Sequence, residues 1–206
     1  GIAAHTTKER RTTMSERVAR IARTTKETDI DLSVGLDGTG KTNVETGIGF
    51  FDHMLTAFGR HGLFDLQVRC KGDLEVDGHH SVEDTGIVLG QALNRALGDR
   101  KGLRRFASAC IPMDEALCFT VLDFSNRPFL VFDADMPQPM IGTYDPCLTE
   151  EFLRALAVNS GLTLHMKCLY GKNAHHITEA LFKSLGAAVK EAVQITGTGV
   201  TSTKGV

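Results

Sequence analysis

His79-His80-Ser81-Val82-Glu83 and His175-His176-Ile177-Thr178-Glu179 are two copies of one pattern, His-His-x-x-Glu, in a chain of 206 residues. The order of elements around the two copies is the same. Ahead of the first lie alternating apolar residues at 30–36, the turn Asp37-Gly38-Thr39-Gly40, a returning strand at 42–46, a short helix at 50–58 and a strand at 63–70. A helix over 82–97 follows, stopped by Gly98. Ahead of the second copy lie strands at 115–123 and 129–133, joined by the turn Ser125-Asn126-Arg127-Pro128, then a helix at 149–158 and a strand at 162–168. A long helix over 176–193 and a Gly/Thr/Ser-rich tail close the chain. Strand, strand, helix, strand, helix therefore occurs twice. A second local match, His53-Met54-Leu55-Thr56-Ala57-Phe58 with Glu151-Phe152-Leu153-Arg154-Ala155-Leu156, keeps the same order. The repeat unit is roughly ninety residues, too long for a solenoid and near the size of a small domain. The pattern predicts an α+β fold with an internal duplication, its helices packed between two mostly antiparallel four-stranded sheets. The divisions are an N-terminal extension over 1–19, halves at 20–99 and 100–195, and a C-terminal loop over 196–206.

The repeated motif carries chemistry. On a helix, residues four apart share a face, while adjacent residues diverge by about 100°. His79 and Glu83 reach one ion and His80 points to another; His175 with Glu179, and His176, do the same. Imidazole and carboxylate together suit manganese, iron or zinc, and the lack of a thiolate argues against a structural zinc site. One His-His pair at a helix start is ordinarily a surface or capping feature. Two copies at matching positions, each with its carboxylate, are not. His53 opens the first short helix, and the duplication makes Glu151 its counterpart at the other ion.

Composition narrows the partners. A net charge of -2 excludes a strongly basic nucleic-acid binder, and no apolar run approaches a membrane span. The start GIAAHTTKERRTT has no apolar signal core and reads as a disordered extension; Met14 resembles a natural start. The five cysteines form no Cys-x-x-Cys pair and read as reduced thiols, most of them buried, in a cytoplasm-like compartment or, in a plant, the plastid stroma.

Gly47-Ile48-Gly49-Phe50-Phe51-Asp52-His53-Met54-Leu55, Asp77-Gly78-His79-His80-Ser81-Val82-Glu83-Asp84, Asn173-Ala174-His175-His176-Ile177-Thr178-Glu179-Ala180 and Ser202-Thr203-Lys204-Gly205 together resemble the imidazoleglycerol-phosphate dehydratase family. The resemblance runs from about Arg20 to Val206. It implies a large homo-oligomer of octahedral symmetry, a 24-mer, with active sites between subunits and two manganese ions in each. One ion would take His175, Glu179, His80 and His53. The other would take His79, Glu83, His176 and position 151, where many family members carry histidine and this chain carries Glu151. The implied reaction is the loss of water from D-erythro-imidazole glycerol phosphate to give imidazole acetol phosphate, a step of L-histidine biosynthesis. An imidazolate held on two metal ions would expel the hydroxyl. A carboxylate moves the proton, with Glu27, Glu83 and Glu179 as candidates. The resemblance points to Glu27 as a substrate contact. It also brings His53, His61, His79, Glu83 and His175 to the substrate. The phosphate clamp it implies consists of Arg105, Arg127, Lys183, Ser202 and Lys204. Asp84 reads as a support for a ligating ring, and His165 as a hydrogen-bonded structural histidine. Competing readings are a two-metal phosphate-ester hydrolase and a metal-storage protein. The clamp cations disfavour storage, and the histidine-rich ligands disfavour hydrolysis.

Overall fold

The computed structural model describes residues 17–203. The first half runs β1 (Val18–Thr24), β2 (Thr28–Gly35), β3 (Thr42–Glu45), α1 (Gly49–Gly62), β4 (Asp65–Gly72) and α2 (His79–Leu97). The second runs β5 (Phe106–Met113), β6 (Ala116–Asp123), β7 (Phe129–Asp133), α3 (Leu148–Ser160), β8 (Thr163–Tyr170) and α4 (Ala174–Ala192). The predicted duplication holds, and each half gains a leading strand. β1 begins at Val18, inside the segment read as an extension; residues 1–16 lie outside the described residues.

Each half builds a four-stranded sheet, ordered β1-β2-β4-β3 and β5-β6-β8-β7. β1, β2 and β4 pair antiparallel, whereas β3 runs parallel to β4, and β7 repeats this beside β8. The Asp37–Gly40 turn thus closes no hairpin, contrary to the sequence expectation. Asp65 explains the diversion: its Oδ1 accepts the backbone N–H groups of Thr39 and Lys41, each at 3.0 Å, and draws the chain across to β4. These two bonds hold the Asp65 carboxyl below its ordinary pKa.

Strand alternation gives each sheet one dry face. Ile30, Leu32 and Val34 of β2 are fully buried while Asp31 and Ser33 point outward. Phe51, Met54, Leu55 and Phe58 make the i, i+3, i+4, i+7 stripe of α1. α2 lies on β1, β2 and β4, and α4 on β5 and β6. Across the middle, α1 packs on α4 and α2 on α3. Phe152 joins the halves, edge-on to Phe51 and stacked on Phe182, at 5.4 Å from each. The helix crossings are close because glycine lies in them. A Cβ at Gly186 of α4 would stand 2.6 Å from the Phe58 carbonyl of α1, and one at Gly90 of α2 would stand 2.8 Å from the Leu156 carbonyl of α3. The two crossings are repeat counterparts.

The outer sheet faces differ. The first carries Arg20, Asp31, Asn43, Glu45, Gln67 and Arg69. The second exposes Phe106, Phe119, Val121, Phe129 and Val131. No helix among the described residues is long and apolar enough to cross a membrane.

Candidate active site

The two His-His-x-x-Glu motifs open α2 and α4, as their spacing predicts. Asn173 caps α4, its side chain accepting the backbone N–H of His175 at 2.9 Å and of His176 at 3.3 Å. Both histidines are thereby fixed in the first turn. Asn173→Ala removes this cap and is expected to cost about 1 kcal/mol, read as a lower urea midpoint of the metal-free protein. In α2 the cap residue is Gly78, and Asp77 takes its place by accepting the His79 N–H at 2.8 Å.

The close α1–α4 crossing brings His53 to the α4 motif. Among the described residues, His53, His175 and Glu179 form the set whose ligand atoms all lie within 4.8 Å of one another. Glu179 Oε2 meets His175 Nε2 at 3.1 Å and His53 Nε2 at 3.3 Å. Its Oε1 meets Lys183 Nζ at 2.9 Å. Burial pushes the Glu179 carboxyl up, but Lys183 and then His53 outweigh it, so its pKa falls below the ordinary value. His61, in the last turn of α1, is lowered first by burial and then by the Lys183 charge. Phe50 stands edge-on to His175 with ring centres 4.9 Å apart.

The α2 motif repeats part of this, with His79 Nε2 at 3.1 Å from Glu83 Oε2. Glu151 lies in the first turn of α3, but it does not join a converging donor set among the described residues. The second histidine of each motif faces differently. His80 Nδ1 lies 2.8 Å from Asp73 Oδ2, with Glu27 Oε1 3.8 Å from its Nε2. His176 Nδ1 lies 2.7 Å from Glu115 Oε2, with Asp114 Oδ2 3.5 Å from its Nε2. The His176 contact, followed by the Lys172 backbone N–H, holds the Glu115 carboxyl at about 2. Asp73 raises the His80 pKa. Sequence reasoning missed both carboxylates. Glu115 was findable, because it precedes β6 as Glu27 precedes β2. Asp73 was not: it follows Gly72, whereas Lys172 follows the corresponding Gly171.

Asp84 is the one carboxylate expected to support a ring that does not do so. It is buried, accepts from Thr28 Oγ1 at 2.5 Å and pairs with Arg23 at 2.9 Å, tying α2 to its sheet. His165 is exposed on the outer sheet face beside Val121 and Val131, not a buried structural histidine. Of the cysteines, only Cys70 and Cys118 are buried; all five are unpaired.

Arg105, Arg127 and Ser202 line a cleft of about 460 Å³ together with Arg100 and Asn126. Asp123 grips Arg105 at 2.7 and 3.1 Å, and Arg105 donates to the Thr201 carbonyl. Arg105 adopts φ 80°, a conformation costing of order 1–3 kcal/mol in a non-glycine residue. Lys183 is absent from this cleft and sits at Glu179. Lys204 lies outside the described residues.

The profile of the imidazoleglycerol-phosphate dehydratase family matches residues 46–189. The chain is 55% identical over 193 residues to imidazoleglycerol-phosphate dehydratase of Acetivibrio thermocellus, covering 93% of this chain and 99% of that protein. It is 54% identical to the enzyme of that name from Acidiphilium cryptum, covering 92% and 98%. Among solved structures, the Staphylococcus aureus subsp. aureus N315 dehydratase superposes with a TM-score of 0.79 at 38% identity, covering 87% of this chain and 99% of that one. The Pyrococcus furiosus enzyme in complex with (S)-C348 gives 0.78 at 40% identity, covering 90% and 99%.

Proposed function

Because the chain belongs to the imidazoleglycerol-phosphate dehydratase family, we propose that it dehydrates D-erythro-imidazole glycerol phosphate with two manganese ions held at each active site. Lyase activity in histidine biosynthesis is the family's own. The finer reading rests on one observation: His53, His175 and Glu179, from two helices of opposite halves, converge within 4.8 Å. The donor set fits manganese. It offers imidazole nitrogen and carboxylate oxygen without thiolate, and Glu179 is only 6% exposed, with burial pushing its carboxyl up and Lys183 and then His53 drawing it below the ordinary value. Three donors are too few to enclose such an ion. A partner subunit's His80 completing the set, and the mirror arrangement around His79, Glu83, Glu151 and His176, would account for the rest.

The exposed apolar face of the second sheet supports self-association, with Phe129 63% and Phe106 57% exposed. A 24-mer is the assembly proposed. The unpaired cysteines are compatible with a cytoplasmic location.

Bound divalent ions would supply Lewis acidity and a template for the imidazole ring. The chain's residues do the remainder. Glu27 is exposed on the β1–β2 loop beside His80, where a carboxylate can reach a carbon-bound proton at the rim of the site. Phe50 walls one side of the His175 ring. Lys183 pairs with the Glu179 carboxylate and would be available to the substrate were an ion to take its place there. Arg105, Arg127 and Ser202 present donors suited to the phosphate, and Lys204 joins the proposed clamp on the family resemblance alone.

The test is product analysis. Conversion to imidazole acetol phosphate without release of inorganic phosphate supports the lyase; phosphate release without ketone would move the reading to a two-metal hydrolase. Arg127→Ala is expected to raise KM roughly 10- to 100-fold through the loss of a charge-assisted hydrogen bond, with a smaller change in kcat.

A further inference from the structure

We propose that Asp73 and Glu115 are positioning residues of the metal centre, holding the rings of His80 and His176 at Nδ1 so that Nε2 is the nitrogen presented to the ion. The inference rests on the two-metal reading and deepens it. An imidazole that ligates through one nitrogen carries its proton on the other, and an acceptor on that N–H fixes the tautomer and the ring's orientation. Asp73 Oδ2 at 2.8 Å from His80 Nδ1 and Glu115 Oε2 at 2.7 Å from His176 Nδ1 supply that acceptor. His79 and His175 are held differently, their Nε2 atoms meeting the glutamates of their own motifs.

The two carboxylates come from different places in the repeat. Asp73 follows β4 and Glu115 precedes β6. Lys172 occupies the place after Gly171, and Glu27, the counterpart of Glu115, lies on the Nε2 side of His80. A contact merely inherited through duplication would come from one place in both halves. The same ring atom meeting a carboxylate by two routes points to a requirement of the ring itself.

Each residue also fixes the backbone around its histidine, Glu115 through its carboxylate and Asp73 through its main chain. Glu115 Oε1 accepts the N–H groups of Lys172 at 2.9 Å and Asn173 at 2.8 Å, locking the loop that feeds α4. The Asp73 N–H donates to the Glu27 carbonyl at 3.0 Å, so one residue ties His80 to the loop bearing Glu27. Asp73 Oδ1 is buried with no hydrogen-bond partner among the described residues, an arrangement that native proteins rarely keep without a role.

Metal-stripped protein titrated with Mn²⁺, with free ion read from its paramagnetic resonance signal, tests this. Asp73→Ala and Glu115→Ala, which remove the acceptor from the ring altogether, are each expected to weaken Mn²⁺ binding by about 10-fold or more. The histidine ¹⁵N shifts of the metal-free variants should lose the Nδ1–H signature of the affected ring. Asp84→Asn is the structural control: it lowers the unfolding midpoint and leaves the Mn²⁺ affinity of the folded protein unchanged. If Glu115→Ala fails to fold, Glu115→Asp, which keeps the charge but withdraws from the ring, is expected to show the same loss. Parental affinity and tautomer in folded variants would overturn the inference alone. A parent protein that binds no divalent ion would overturn the two-metal reading and this inference with it.

Discussion

Glu179→Gln is expected to lower kcat/KM by about three orders of magnitude, roughly 4 kcal/mol of barrier, and to remove one of the bound metal ions. The substitution keeps the side chain's volume and one acceptor oxygen, so the core around α4 is preserved. What it loses is the charge on which His53, His175 and Lys183 converge. A neutral amide is a poor ligand for a hard divalent cation, and it also leaves the Lys183 ammonium without its counter-ion. Stability should respond in a pH-dependent way. The Glu179 pKa is depressed in the folded protein, so its contribution is present above the unfolded carboxylate value and is lost as pH falls through the folded one. The difference in urea midpoint between parent and Glu179→Gln should therefore close in acid. A variant with parental turnover would remove Glu179 from the site.

Gly186→Leu is expected to be the most damaging single change to the fold. The Cβ would stand 2.6 Å from the Phe58 carbonyl and 3.2 Å from the Gly62 nitrogen, both backbone atoms of α1 that cannot swing aside. Forcing the helices apart costs about 3 kcal/mol, or on the order of 10 °C in melting temperature for a chain of this size. It also moves His53 away from Glu179, because the same crossing sets both, so metal affinity should fall with stability. Gly49→Ala is the control: nothing lies within 4 Å of its Cβ position, and its melting temperature should stay level or rise slightly. Equal melting temperatures for the two variants would show that the crossing does not depend on the close approach at Gly186.

The features that the sequence displayed were those with local chemistry. The His-His-x-x-Glu repeat, its helix starts and the alternation of β2 and β4 could all be read directly, and the duplication followed from their order. The leading strands could not. β1 carries Arg20 and Arg23 among few large apolar residues, and β5 has small side chains over 107–110 and Pro112 on a sheet edge. Edge strands carry such weak alternation, and proline is tolerated there. The parallel pairing of β3 was hidden for another reason: Asp65, distant in sequence, captures the loop after β2. At the site, the helical spacing placed each histidine with its glutamate on one face, and the repeat match marked His53 and Glu151, of which His53 lies beside Glu179. The ring-holding roles of Asp73 and Glu115 depend on where two loops end in space. The arginine cleft likewise forms only when the 200–203 segment returns to Arg105 and Arg127.

The most direct test of the central claim is turnover against bound metal. Protein stripped with a chelator is titrated with Mn²⁺ while ketone formation from imidazole glycerol phosphate and bound manganese are measured in the same samples. The account predicts no turnover in the stripped protein and recovery that reaches its plateau near two Mn²⁺ per chain. Full turnover in protein shown to be free of metal, or a plateau reached with a single ion, would contradict it.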